Sequence, residues 1–157
     1  MAIRRISIYD MDGTIVDSSH RYRTIERDGK TVIDLDHWRE NQPLAMLDKL
    51  LPMVQQYRDD LACPNTYVII ATARVMNAPD WRFVKEILGE PDYFISRKDG
   101  DARGGAFLKI LGLTKFFNLK NFRDARATFY EDNASYLKAV CDRFGIHGVY
   151  VPSVQGH

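Results

Sequence analysis

Hydrophobic positions along the chain fall into short runs separated by Gly, Pro and Asp punctuation. Arg5-Ile6-Ser7-Ile8-Tyr9 alternates apolar and polar positions and predicts a short strand. Tyr67-Val-Ile-Ile-Ala71 is continuously apolar, as a strand buried on both faces requires. Tyr93–Ser96, Thr128–Tyr130 and Gly148–Val151 predict three more strands, the last closed by Pro152. Between them the spacing turns helical. Pro43 to about Asp60 carries Leu44, Leu47, Leu50, Leu51, Val54 and Tyr57 at helical intervals, with Pro43 suited to a first turn. Further helices are expected from about Asp80 to Leu88 with Gly89 closing it, from about Gly104 to Leu111 with Gly112 beyond its end, and from Ala134 to Phe144 ended by Gly145.

The first strand and the first helix are separated by an insertion over about residues 17–42. Within it, Arg21–Glu26 and Lys30–Asp34 flank Asp28-Gly29, a strong hairpin-turn signal, and predict a small β-flap over a catalytic pocket. Strands alternating with helices imply an α/β fold: a Rossmann-like, doubly wound parallel sheet covered on both faces, with the flap and no large cap domain. The whole of residues 1–157 reads as one domain, without repeats, low-complexity stretches or linkers. Ligands of such sheets bind beyond the carboxyl ends of the strands.

Chemistry concentrates at those ends. Asp10-Met11-Asp12-Gly13-Thr14 follows the first strand directly. Two carboxylates two residues apart at the end of a buried strand repel one another, and desolvation adds to the cost unless a cation or positive group lies between them. The turn suits a divalent cation with oxygen ligands and a phosphate beside it. Thr72 ends the second strand, where a hydroxyl can donate to a phosphate oxygen; Lys109 lies on a helix; Glu131-Asp132 follows the fourth strand and offers further metal ligands. Taken singly, these residues also read as a turn or cap, a solvated lysine and a helix N-cap.

In this order the residues resemble the haloacid dehalogenase-like phosphohydrolase superfamily. Asp10–Asp17 matches its first motif, Thr72 the second, Lys109 the third and Glu131-Asp132 the fourth. Arg97-Lys-Asp-Gly-Asp-Ala-Arg103 with Lys109, and Thr72-Ala-Arg74, are similar to the phosphatase domain of phage-type polynucleotide kinase/3′-phosphatases. The chain departs from that branch at Thr72 (Ser there), Glu131 (Asp there) and Gly104-Gly105 (a charged pair there). The resemblance implies Asp10 as nucleophile, forming an aspartyl-phosphate, and Asp12 as general acid and then base. It implies Thr72 and Lys109 on the phosphoryl oxygens, and Mg²⁺ held by Asp10, the Asp12 carbonyl and Glu131 or Asp132. Arg74 and Arg103 become candidates for substrate phosphates. The substrate it implies is a phosphorylated nucleotide or nucleic-acid 3′ end. A 5′-nucleotidase and a non-catalytic metal-binding interaction module are the alternatives.

Charge and composition narrow the picture. A formal net charge of +1 provides no overall field to recruit nucleic acid. Lys115–Arg126 interleaves basic and aromatic residues, which fits either single-strand contacts or a connector with core phenylalanines. Two cysteines, Cys63 and Cys141, do not make a disulfide framework and read as reduced thiols of a cytoplasmic protein, in host cytoplasm if phage-encoded. No apolar run approaches the roughly 20 residues of a membrane span, and Met1–Arg5 has no signal-peptide character. The absence of a Gly-x-x-x-x-Gly-Lys-Ser/Thr stretch removes the ATP-binding kinase half of the bifunctional relatives.

Overall fold

The computed structural model describes residues 3–153; Met1, Ala2 and residues 154–157 of the one-domain reading lie outside the described residues. Strand β1 (Arg5–Tyr9) leads to β2 (Val16–Asp17), the hairpin β3 (Thr24–Arg27) and β4 (Lys30–Ile33), and helix α1 (Leu35–Glu40). Next come β5 (Lys49–Leu50), α2 (Val54–Ala62), β6 (Thr66–Val75) and α3 (Ala78–Phe83), which continues into a wider helical turn over Val84–Leu88. β7 (Tyr93–Arg97), α4 (Gly105–Asn118), β8 (Arg126–Glu131), α5 (Ala134–Phe144) and β9 (His147–Tyr150) complete the order.

Five strands form one parallel sheet in the order β7-β6-β1-β8-β9, with the first strand of the chain at its centre. The period-2 alternation of strand side chains splits the core in two. Val68 and Ile70 join Tyr9 on one face, under Val54 and Tyr57 of α2 and Phe83 of α3. Ile69 and Ala71 join Ile6 and Ile8 on the other, under Leu113 and Phe116 of α4 and Val140 of α5. This is the doubly wound α/β sheet expected from the strand–helix alternation.

The insertion departs through β2 and returns through β5, which pair antiparallel as Val16 with Leu50 and Asp17 with Lys49. Its hairpin turns on Asp28 (φ 53°) and Gly29 (φ 75°), the two positive-φ positions of a type I′ turn. Asp34 caps α1, its carboxylate accepting the His37 amide at 3.2 Å. Among the described residues there is no large cap domain.

Two expected elements differ. Residues 43–60 do not form one helix: a 3₁₀ stretch over Gln42–Leu47 precedes β5, and only Val54–Ala62 is α-helical. Pro52 accounts for the break, because it lacks an N–H and disfavours helical backbone at Leu51. Leu44 and Leu47 are exposed, so their helical spacing does not mark a core face. Conversely, α4 runs straight through Gly112 instead of ending before it. A Cβ there would lie 2.6 Å from Ile95 Cγ2, so this glycine lets α4 lie close on β7. The aromatic residues of the 115–126 segment are packing residues. Phe116 and Phe122 meet Tyr67, Phe116 also meets Tyr93, and Phe117 stacks on Phe144. Cys63 and Cys141 are free thiols, and no helix among the described residues is long and apolar enough to cross a membrane.

Candidate active site

The carboxyl ends of β1, β6 and β8 converge on one cleft of about 1200 Å³. Asp10 follows β1 directly, its amide donating to the Tyr130 carbonyl at 2.9 Å, so the neighbouring strand fixes where its side chain begins. Its carboxylate accepts from Lys109 Nζ at 2.8 Å through Oδ1 and from the Thr14 hydroxyl at 3.1 Å through Oδ2. Lys109 reaches across from α4 and also donates to Glu131 Oε1 at 2.6 Å. Asp10, Lys109, Glu131 and Asp132 are all buried. Oxygens of Asp10, Glu131 and Asp132 lie within 4.8 Å of one another. Four of the residues singled out from the sequence thus meet in one buried cluster.

Electrostatics distinguish the two carboxyls on Lys109. Burial alone would raise both. For Asp10, the Lys109 charge outweighs burial and holds the group below its ordinary value. At Glu131, burial and the adjacent Asp10 charge prevail over Lys109, pushing the carboxyl up to about 10. Asp10 is therefore the ionised partner at neutral pH. Burial would lower the Lys109 pKa, but the attraction of Asp10 and Glu131 raises it well above the ordinary lysine value.

The donor set fits a hard divalent cation. Three buried acidic side chains converge, with no imidazole or thiolate among them, as Mg²⁺ chemistry prefers. The Asp12 carboxylate is not in this cluster. It accepts from Ser18 Oγ at 2.6 Å and from Arg74, whose Nε donates to Oδ2 at 3.1 Å and whose Nη2 donates to Oδ1.

Thr72 lines the same cleft, and its hydroxyl accepts the Arg74 amide at 3.1 Å. It lies inside β6, but regular pairing with β7 is interrupted between Ala71 and Val75. Arg74 is buried and occupied by Asp12 and Asp80, the latter at 2.8 Å; these carboxylates outweigh the cost of its burial and raise its pKa above the ordinary arginine value. It is not a surface ion-pair partner. Arg103 is not brought to the cleft: it is exposed, closes on Asp101 at 2.7 Å two residues away and lies over Phe107. Its guanidinium finds a local partner before it can reach the strand ends.

Sequence reasoning missed Thr14, Arg21, Trp38, Asp48 and Asp80. Asp48 fell within a segment read as helix, and Arg21 within one read as flap strand. The insertion lines the cleft with Tyr22, Ile33, Leu35, Trp38, Arg39 and Gln42, so the flap borders the site as expected.

A parallel sheet with this acidic cluster at its carboxyl rim and, among the described residues, no large cap is a haloacid dehalogenase-like fold. It is shared with the HAD domain of the effector protein Lem4 from Legionella pneumophila: TM-score 0.59 and 12% identity, over 97% of this chain and 87% of that one. A chain of the Pnkp1/Rnl/Hen1 RNA repair complex superposes with TM-score 0.63 at 17% identity, over 96% of this chain and 43% of that one. The family model for the bacteriophage T5 5′-deoxynucleotidase matches residues 1–96, and the chain belongs to that family. The 5′-deoxynucleotidase of Escherichia phage T5 is 36% identical over 87 residues, 54% of this chain. That match spans 35% of the relative's length. The family match includes Asp10, Asp12, Thr72 and Arg74; Lys109, Glu131 and Asp132 lie beyond it and are joined to the site by the fold.

Proposed function

We propose that this chain is a Mg²⁺-dependent phosphomonoester hydrolase that removes the phosphate of 5′-deoxynucleotides through an aspartyl-phosphate on Asp10. The observation that carries this reading is the buried Asp10 carboxylate held by Lys109 beside Glu131 and Asp132. Family membership supports the 5′-deoxynucleotide. The 3′-end expectation rested on residues 97–109, together with the Thr72-Ala-Arg74 turn and the short flap. There Arg97 binds the carbonyls of Ala73, Asp101 and Arg103, and Arg103 binds Asp101, so both arginines support the loop itself. The 3′ end therefore becomes the competing arm of the test.

Asp10, Glu131 and Asp132 would hold Mg²⁺, which when bound neutralises phosphoryl charge next to the nucleophile. An Asp10 carboxylate oxygen attacks phosphorus, the ester bond breaks, and its electron pair leaves on the ester oxygen, which takes a proton from Asp12. Water then attacks the same phosphorus, gives its proton to Asp12 and releases phosphate and the Asp10 carboxylate. Lys109 keeps Asp10 ionised, and its ammonium lies where phosphoryl oxygens gather, as does the Thr72 hydroxyl. Phosphoryl chemistry of this kind needs large charge stabilisation, since uncatalysed monoester hydrolysis is among the slowest known reactions.

The test is a panel of 2′-deoxynucleoside 5′-monophosphates, ribonucleoside 5′-monophosphates, 3′-monophosphates and 3′-phosphorylated oligonucleotides, each with Mg²⁺. Fastest turnover of the deoxy 5′-monophosphates is expected. A preference for 3′ ends would return the substrate to the polynucleotide reading and leave the Asp10 chemistry in place. No turnover of any of them by the intact chain, with wild-type folding, would leave a metal-binding interaction module.

A further inference from the structure

We propose that Arg21 is a positioning residue for Asp12, acting through a buried ionic network that joins the insertion to the catalytic rim. Arg21 is 0% exposed and lies on the insertion side, outside the lining of the cleft. Its Nε and Nη2 grip Asp48 at 2.9 and 2.8 Å, and Nη2 reaches Asp80 at 3.3 Å. Asp80 Oδ1 also accepts from Arg74 Nη1 at 2.8 Å, and Asp48 Oδ2 lies 3.6 Å from Arg74 Nη2. Arg74 in turn holds both oxygens of Asp12. Trp38 of the insertion lies beneath both guanidinium groups, 4.4 Å from that of Arg21 and 5.3 Å from that of Arg74.

Such a network is weak evidence for stability, because well-packed apolar residues often do as well where ions are buried. Arg21 even keeps a buried Nη1 with no hydrogen-bond partner among the described residues, a cost a purely structural position would be expected to shed. The arrangement makes chemical sense at Asp12. Asp48 and Asp80 divide the charge of Arg74 and fix its plane, while Arg21 keeps those two carboxylates together. Asp12 is then held in one orientation through both of its carboxylate oxygens.

The inference rests on the proposed function, and the test separates the two. kcat/KM reports only the steps through leaving-group departure, so it is compared for a 2′-deoxynucleoside 5′-monophosphate and for 4-nitrophenyl phosphate. The nucleoside alkoxide needs a proton to leave; 4-nitrophenolate does not. Arg21→Lys and Asp48→Asn should lower kcat/KM for the nucleotide by about tenfold or more, and for the aryl phosphate by less than about threefold, the former a part of the roughly 10²- to 10⁴-fold that general acid catalysis supplies. Asp12→Asn should show the same selectivity more strongly, and Arg21→Met should exceed Arg21→Lys. Should Arg21→Met fail to fold by thermal melting, the two conservative variants carry the result. Equal losses on both substrates would overturn the inference and make Arg21 a scaffold residue, with the proposed function intact. Loss of selectivity in Asp12→Asn itself would remove Asp12 as the acid and the inference with it. An unmodified chain that hydrolyses neither compound would overturn both readings.

Discussion

A Cβ placed on Gly13 would lie 2.1 Å from Asp132 Oδ2, so the turn after β1 and the acidic end of β8 touch only because residue 13 has no side chain. Gly13 also has φ +83°, the left-handed region that favours glycine. Gly13→Ala should therefore displace Asp132 and destabilise the fold by about 1–3 kcal/mol. Urea denaturation together with Mg²⁺ titration checks this; unchanged stability and unchanged Mg²⁺ affinity would show that the turn tolerates a side chain.

Asp10→Asn should lower turnover to below about a hundredth of wild type, since an amide is a poor nucleophile and a weak ligand for a hard cation. The melting temperature should change little. With the Asp10 charge gone, one cause of the raised Glu131 pKa disappears, and Glu131 can ionise against Lys109. Residual turnover of several per cent in a folded variant would remove Asp10 from the nucleophile role.

Lys109→Met should cost both rate and stability, because the lysine is buried and serves two carboxyls. Breaking a buried pair typically costs about 3–5 kcal/mol, and the charge left unpaired is that of Asp10. The rate should fall by about 10²-fold or more as the phosphoryl oxygens lose their cation. Wild-type kcat/KM with a lowered melting temperature would make Lys109 structural only.

Chelation should abolish turnover and Mg²⁺ restore it, while excess Ca²⁺ inhibits, because Ca²⁺ takes more ligands at longer distances and would engage both Asp10 oxygens. Glu131→Gln and Asp132→Asn should each raise the Mg²⁺ concentration for half-activity. Full turnover in a chelator would exclude the metal from the reaction.

Gly112→Ala puts two levels of reasoning in opposition. Helix propensity favours alanine by about 1 kcal/mol within a helix. The added Cβ would press within 2.6 to 3.0 Å of three atoms of Ile95, a stiff β-branched side chain. Net destabilisation by about 1–2 kcal/mol is expected from overpacking. A rise in melting temperature would show that α4 can move off β7.

Much of the fold was legible because its signals are local. The alternation in Arg5–Tyr9, the apolar run at 67–71, the Asp28-Gly29 turn and the Gly145 helix end each depend on residues adjacent in the chain, and each appears in the structure. Motif order also singled out Asp10, Thr72 and Glu131-Asp132, which the structure brings to one cleft. Tertiary structure decided the rest. Pro52 and the β2–β5 pairing overrode a helical pattern at 43–60, and close packing on Ile95 carried α4 through Gly112. The Arg21–Asp48–Asp80–Arg74–Asp12 network joins five charges spread between residues 12 and 80, and no local pattern records which carboxylate a given arginine will choose. Ion pairing depends on burial and on the fork geometry of partners distant in sequence, both of which exist only once the insertion has closed over the carboxyl rim of the sheet.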